Sequence, residues 1–448
     1  VSDAILVIGA GVAGINCALN AAKYGAKVYL VDDTPSIGGM MARLDKTFPT
    51  NDCSICIEAP QMFEVDNHEN IEILTSTEIK KVKRANGKFS VRLLKRATYV
   101  DQDKCTGCGA CVEACPVSVP DDMDGKIGGM RKLVSLPFPQ SVPNVVAVSP
   151  MCRSGEMHGS GACIGGCAVE CNQCRECPIA LCVKACEKEG KKAITLWQTN
   201  KRVDIDVKSI VVATGISDAK PAGDLLGYND FQNVITNTQF ERLMNAGGPT
   251  DGEIVRPSDH THARKIAWIQ CAGRGVAEGM GTPYCSKICC MVTTKQTIIA
   301  KEHDDSVDTV VFHNDLKAYG KGFWGFHQKA VEYGVRFVKS RPFEAFEDPD
   351  TRNLTIRYED LETGELKTME VELLVLATGL VPNDRNTKLA NVLKIKLNDL
   401  GFFEEKNPLT APLETDVEGI YLCGGATGPI DISESVVQAC AAAMKAIQ

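Results

Sequence analysis

Residues 4–33, "AILVIGAGVAGINCALNAAKYGAKVYLVDD", run from an apolar stretch through a glycine turn and a small-residue helix to a second apolar stretch. A strand turning directly into a helix commits a chain to a β-α-β unit and therefore to a parallel sheet. Gly9 and Gly11 permit the tight turn and the close approach of a pyrophosphate. Gly14 lets the helix pack near the strand, and the helix N-terminus faces the phosphates. Asp32 falls at the end of the second strand, where a carboxylate accepts from a ribose hydroxyl. Gly38 and Gly39 extend this cofactor-binding stretch. A bare GxGxxG also marks ordinary turns; with strand, helix and acid in place it predicts dinucleotide binding.

Two further pieces select FAD. "SIVVATGI" (209–216) and "LLVLATGLVPN" (373–383) are each a buried strand running into Ala-Thr-Gly. "GIYLCGGATGPIDISESVVQACAAAMKA" (419–446) is a strand, a glycine-rich turn and a small-residue helix. This arrangement resembles the flavoprotein disulfide-reductase superfamily. The resemblance makes Thr214, Gly215, Gly379, Gly424 and Gly425 cofactor-binding candidates. In that superfamily a second glycine turn in mid-chain binds NAD(P)H. Here the equivalent strand, "RKIAWIQCAGR" (264–274), carries Cys271 and Ala272 where that turn should begin, while the next strand, "VDTVVFHND" (307–315), survives. The nucleotide-binding fold is expected to remain without its pyridine-nucleotide site.

The chain holds 448 residues with a net charge of −8, which argues against a nucleic-acid partner, and 21 cysteines. No apolar run approaches the roughly 20 residues of a membrane helix. The first apolar run is broken by glycines and lacks a basic leader, so a cytoplasmic chain with no membrane insertion is expected. In a reducing compartment clustered thiols point to metal or redox chemistry rather than to disulfides. Cys17, Cys423 and Cys440 lie in apolar or Ala- and Gly-rich surroundings and read as core residues.

"CTGCGACVEACP" (105–116) has the C-x2-C-x2-C-x3-C-P spacing of a bacterial ferredoxin half. Cys105, Cys108 and Cys111 wrap one face of an iron–sulfur cluster, while Cys115 normally reaches the other cluster of a pair. A zinc site would need two separated pairs and no C-P ending. Cys174, Cys177, Cys182 and Cys186 supply the partner motif, with Cys186 as the crossing ligand. Cys152, Cys163, Cys167 and Cys171 are left over. They either complete one more cluster or substitute within the second motif and leave spare thiols in a glycine-rich loop. Cys53 and Cys56 form a C-x2-C pair with three open readings: a redox-active disulfide, half of a cluster site shared with another protein chain, or a structural role.

Four more cysteines, Cys271, Cys285, Cys289 and Cys290, form a C-x13-C-x3-C-C set. On a helix the adjacent pair would diverge by about 100°; at a first turn or a non-helical corner both can face one cluster. With "TFPTNDCSICI", the ferredoxin half, "LPFPQSVPN", "QFERL", "PYCSKICC" and "GKGF" in this order, the chain resembles the HdrA family, the flavin-bearing component of heterodisulfide reductase, and its bacterial relatives. The resemblance covers nearly the whole chain. It implies that the set binds a [4Fe–4S] cluster beside the flavin, and that Glu241 and Lys295 lie near the isoalloxazine in catalytic roles. It implies FAD and at least three [4Fe–4S] clusters, with a fourth open in 152–186. Archaeal members of this type carry an extra N-terminal domain and a C-terminal ferredoxin domain, neither of which is expected here. In length the chain is nearer to QmoA, the related component of the quinone-interacting complex of sulfate reducers.

The expected fold is α/β, a two-dinucleotide-binding-domain flavoprotein with an inserted α+β ferredoxin domain. Its flavin domain spans 1–100, 196–262 and 373–448; the insertion spans 101–195, and a degenerate nucleotide domain carrying a cluster spans 263–372. The expected function is electron transfer, with or without bifurcation, in a multi-subunit complex. Implied partners are proteins like HdrB and HdrC of heterodisulfide reductase or QmoB of the quinone-interacting complex. Ferredoxin or a hydrogenase or dehydrogenase module could join them, as could a second copy of this chain. The alternatives are a free-standing NAD(P)H-dependent flavin oxidoreductase with a built-in ferredoxin, like the small subunit of glutamate synthase, and a non-catalytic docking scaffold.

Overall fold

Strand Ile5–Ile8 is apolar and buried at all four positions, as a strand covered on both faces must be. The computed structural model describes residues 4–448 apart from 86, 116–117, 122–123, 149–180, 196–197, 222–223 and 275–280. It sets this strand at the centre of a parallel sheet ordered Ile420–Leu422, Ser209–Val212, Ile5–Ile8, Val28–Val31, Ile71–Leu74. Ile5 stands opposite Ser209 on one side and Val28 on the other. The sheet thus gathers strands from positions more than 400 residues apart. Helices Val12–Lys23 and Ile432–Ile447 pack together over one face through alanines such as Ala18, Ala22, Ala439 and Ala443, whose size permits close approach.

A second parallel sheet runs Val234–Thr236, Leu373–Leu376, Lys265–Ile269, Asp308–His313, Arg336–Lys339. The two sheets correspond strand for strand at their centres. Ala213 N donates to Ile8 O at 2.7 Å in the first, and Ala377 N donates to Ile269 O at 3.0 Å in the second. The α/β class with two nucleotide-binding-type domains and a ferredoxin insertion is therefore the observed one. The expected boundaries shift, however. Leu373–Leu376 is a strand of the second sheet, so the C-terminal flavin segment begins after it, not at 373. Val234–Thr236 and the following helix Asn237–Met244 also belong to the second unit, although 196–262 was expected to be flavin domain and connector. Both Ala-Thr-Gly strands are uniformly apolar and buried, so nothing local records which sheet takes each. The antiparallel ribbon Ile216–Asp218 with Leu380–Pro382 ties the two domains just beyond these strands.

The insertion is closed by a bridge between Val100 and Ile194. Its small core packs Cys111, Cys115 and Cys186 among Val119, Leu133, Val146 and Ile194. A buried ion pair fastens it to the second domain: Arg242 donates to both oxygens of Asp124, at 2.7 and 3.1 Å. Among the described residues, no helix is long and apolar enough to cross a membrane.

Candidate redox site

The glycine turn opens on a cavity of about 470 Å³ between the two domains. Gly9 holds φ 100°, and a Cβ there would lie 2.3 Å from Ala213 O, so only glycine makes this turn. At Gly14 a Cβ would lie 1.8 Å from Gly9 O, which fixes how closely the helix can follow the strand. At Gly11 a Cβ would meet no atom nearer than Gly39 Cα at 3.7 Å; Gly11 leaves open the space at the N-terminus of helix Val12–Lys23. Asp32 accepts from Ala10 N at 2.7 Å and from Thr34 N at 2.8 Å, which holds its carboxylate at the cavity edge. These features suit an adenine dinucleotide laid pyrophosphate-first over the turn.

Gly9, Gly11, Asp32 and Gly39 line this cavity, as do Thr214, Gly215 and Gly425. Gly14, Gly38 and Gly424 stand behind its wall. Gly38 N donates to Ala10 O at 2.8 Å, and a Cβ on Gly424 would come within 2.7 Å of Ala13 Cβ. Gly379 is placed elsewhere. It lines the cavity of the four cysteines, where its missing Cβ makes room for Ser286 Oγ, so its expected contact with the flavin is corrected. The cause is the strand exchange described above.

Glu241 and Lys295 are brought together at the inner end of the large cavity, each 1% exposed. Glu241 comes from helix Asn237–Met244 and Lys295 from helix Cys289–His303. Lys295 Nζ donates to Glu241 Oε1 and, at 2.5 Å, to Lys46 O. Glu241 also accepts from Asp45 N at 3.0 Å and Gln296 Nε2 at 3.1 Å. Gln296 is itself oriented by Trp268 Nε1, which donates to its Oε1 at 3.1 Å. Burial raises the pKa of nearby Asp45, and the Glu241 carboxylate raises it further. A buried cation held by a carboxylate and a carbonyl is a fixed charge at a redox centre rather than a solvated surface lysine. The positioning residues Asp45, Gln296 and Trp268 escaped the sequence reading. Their signal is the polar run Thr293–Thr297 on a helix buried all round, which helical periodicity alone does not mark.

The adjacent cysteines fall in the first turn of helix Cys289–His303. There both line one cavity of about 250 Å³ together with Cys271 and Cys285. Cys271 holds φ 57°, a left-handed conformation at the turn after strand Lys265–Ile269. Burial pushes the Cys290 thiol up to about 11 and raises Cys289 still more, with the other cysteines of the set adding to both shifts. Among the described residues no three His, Cys, Asp or Glu side chains converge on a point that would hold a single metal ion. Four thiols spread around a cavity suit a larger sulfur-rich group, which would deprotonate them on binding. One residue of chain separates this cavity from the larger one. Cys289 and Gly379 face the cysteine side, whereas their neighbours Ile288 and Leu380 face the flavin side.

In the insertion a narrow cleft is lined by Cys105, Cys108, Cys111 and Cys186, so the last cysteine of the second motif meets the first three of the first. Burial pushes Cys111 up to about 12, and Cys105 and Cys186 add to the shift. Burial also raises Cys182, and Cys115 contributes from across the insertion. Cys152, Cys163, Cys167, Cys171, Cys174 and Cys177 lie outside the described residues. Cys53 and Cys56 are joined as a disulfide at the N-terminus of helix Ser54–Asn67. Cys17 and Cys423 are fully buried core residues, while Cys440 is partly buried and accepts from Asn20 Nδ2 at 3.3 Å.

Comparison with known proteins agrees with this assembly. Residues 4–52 match the family of FAD-dependent oxidoreductases and residues 98–121 the 4Fe-4S binding domain. Two curated relatives from methanogens are both flavin-bearing HdrA-type components of CoB–CoM heterodisulfide reductase. To the H(2):CoB-CoM heterodisulfide,ferredoxin reductase component of Methanothermobacter thermautotrophicus the chain is 40% identical over 448 residues, covering 100% of this chain and 64% of that protein. To the second CoB–CoM heterodisulfide reductase iron-sulfur component of this type in Methanopyrus kandleri it is 42% identical over 448 residues, again covering 100% of this chain and 64% of the relative. The chain therefore spans somewhat less than two thirds of the length of these relatives. Among solved structures, the thioredoxin reductase of T. acidophilum superposes with a TM-score of 0.50 at 13% identity, covering 99% of this chain and 97% of that one. That of Lactococcus lactis gives 0.51 at 12% identity, covering 99% and 98%. This likeness is one of fold. The family matches make the chain an oxidoreductase with FAD and [4Fe–4S] clusters as cofactors.

Proposed function

This chain is a homologue, along its whole length, of the HdrA family of heterodisulfide reductase, and from that premise we propose that it distributes electrons within a multi-subunit complex. Bound FAD supplies a centre that exchanges electrons in pairs or singly, and each [4Fe–4S] cluster supplies a one-electron centre. Cys271, Cys285, Cys289 and Cys290 hold one cluster, and Cys105, Cys108, Cys111 and Cys186 hold another. Cys115 and Cys182 contribute to a third. Lys295 holds a positive charge, and a transferable proton at Nζ, toward the flavin cavity, while Glu241 fixes its position. Partner proteins like HdrB and HdrC take up or deliver the single electrons, and splitting each pair between two such routes is bifurcation.

The observation carrying this reading is the shared wall in which Ile288–Cys289 and Gly379–Leu380 alternate between the two cavities. Electron transfer across one residue of packed chain needs no moving part. The same observation supports this reading over a nicotinamide-dependent one, since cysteine thiols line the turn that a second pyrophosphate would occupy. The test is an anaerobic reductive titration of the chain with a low-potential donor, following flavin absorbance and cluster EPR together. A cluster signal should grow as the flavin reduces and should be missing in Cys289→Ser, with flavin and ferredoxin signals kept. A Cys289→Ser protein with every cluster signal intact would overturn the reading.

A further inference from the structure

The two Ala-Thr-Gly turns are structural equivalents, yet their threonines differ. Thr214 Oγ1, at the flavin cavity, donates to Asn386 Oδ1 at 3.1 Å. Thr378, at the cysteine cavity, is 4% exposed, and its Oγ1 has no hydrogen-bond partner. Gln270 stands beside it on the neighbouring strand end, immediately before Cys271. It is 3% exposed, and neither its Nε2 nor its Oε1 has a partner. Both residues line the cavity of the four cysteines. Their backbones are held in place: Gln270 N donates to Phe312 O at 2.9 Å and Ala272 N to Ala377 O at 3.1 Å.

Burying a side-chain amide and a hydroxyl with nothing to bond is costly, so such groups need a partner in the working protein. An amide N–H and a hydroxyl are donors, and the cavity they share is lined with sulfur. The nearby cations are already engaged: Lys287 bonds both oxygens of Glu434 at 3.0 Å, and Lys317 bonds Asp315 at 2.6 Å. Neutral donors are therefore what this wall has left to offer.

Resting on the four-cysteine reading above, we propose that Gln270 Nε2 and Thr378 Oγ1 donate hydrogen bonds to the sulfurs of the cluster held by Cys271, Cys285, Cys289 and Cys290, and so set its reduction potential. Reduction adds a negative charge to the cluster, so a donor aimed at sulfur stabilises the reduced form more than the oxidised one. Removing a donor lowers the potential. The two residues are positioning and tuning groups, and neither is a ligand.

The experiment is EPR-monitored redox titration of the anaerobically reconstituted chain, comparing wild type with Gln270→Leu, Thr378→Val and Thr378→Ser, with iron content measured on each. At the wild-type midpoint the ratio of reduced to oxidised cluster should fall about tenfold in Gln270→Leu and in Thr378→Val, which is ~59 mV for a one-electron couple. Thr378→Ser, which keeps the hydroxyl, should restore the wild-type value. Unmoved midpoints at full iron content would overturn the proposal. A Cys289→Ser control separates the two ideas, because survival of the cluster there refutes the four-cysteine reading itself. If Gln270→Leu fails to assemble, the Thr378 pair decides, together with proton couplings to the reduced cluster that disappear in deuterated water. Such couplings should weaken in Thr378→Val; their persistence unchanged would overturn the proposal.

Discussion

Replacing Lys295 by methionine keeps the reach of the side chain and removes its charge from a pair in which both partners are 1% exposed. Glu241 then retains the Asp45 N–H at 3.0 Å and the Gln296 amide at 3.1 Å but loses its ammonium. Removing one partner of a buried pair costs about 3–5 kcal/mol. The two remaining donors place Lys295→Met near the lower figure, about 3 kcal/mol. Glu241→Gln leaves Lys295 with the Lys46 carbonyl as its remaining strong acceptor, so about 5 kcal/mol is expected. The double replacement leaves neither charge uncompensated. Its cost should fall short of the sum by about 2–3 kcal/mol, the upper range for groups in direct contact. The assay is anaerobic urea titration of flavin release by fluorescence, at equal protein and flavin concentrations. A two-domain chain with bound groups allows only such matched differences to be read. Costs that add to within ~0.5 kcal/mol would refute the pair as an energetic unit.

Cys289→Ser and Cys290→Ser should each lose about four irons while flavin and ferredoxin iron remain; full iron in either variant would make that cysteine a core residue. Cys186→Ser should abolish the EPR signal of the Cys105–Cys111 centre and Cys115→Ser that of its neighbour, and the reverse pattern would contradict the crossing seen in the insertion. The chain should show no saturable binding of NADH or NADPH at micromolar concentration by calorimetry, because Cys271 and its partners occupy the turn. Burial works to raise Glu78, but its hydrogen bonds to Lys80 and Lys388 and the Arg96 charge carry its pKa down from 4.5 to about 2. The stabilisation this gives is present above pH 4.5 and is lost as pH falls toward about 2. Glu78→Gln should therefore show a shallower loss of stability across that window, and an unchanged acid profile would count against the assignment.

Much of this site is written in short-range spacing. Gly9, Gly11 and Gly14 announce a nucleotide turn because each performs a steric task within one turn of chain. The ferredoxin spacing does the same for Cys105, Cys108 and Cys111. Cys289 and Cys290 needed one structural fact, the helix start at Cys289, to decide that both thiols face one cavity. Glu241 and Lys295 were legible only by resemblance, since their pairing crosses 54 residues and the run around Lys295 carries no periodicity.

The sequence by itself determined the nucleotide turn, the iron–sulfur insertion and the number of cysteines near residues 271–290, because these depend on local geometry. Tertiary structure decided which of two identical Ala-Thr-Gly turns faces the flavin. Gly215 does, and Gly379 faces the cysteines, because Ser209–Val212 pairs with Ile5–Ile8 and Leu373–Leu376 with Lys265–Ile269. Strand partners are chosen by apolar faces that look alike in either sheet, so the choice is made by whole-domain packing. The same pairing aligns Gln270 with Thr378 at one wall and isolates their polar atoms there. A contact between strand ends more than 100 residues apart is not encoded in either turn alone; it follows from the register that joins them.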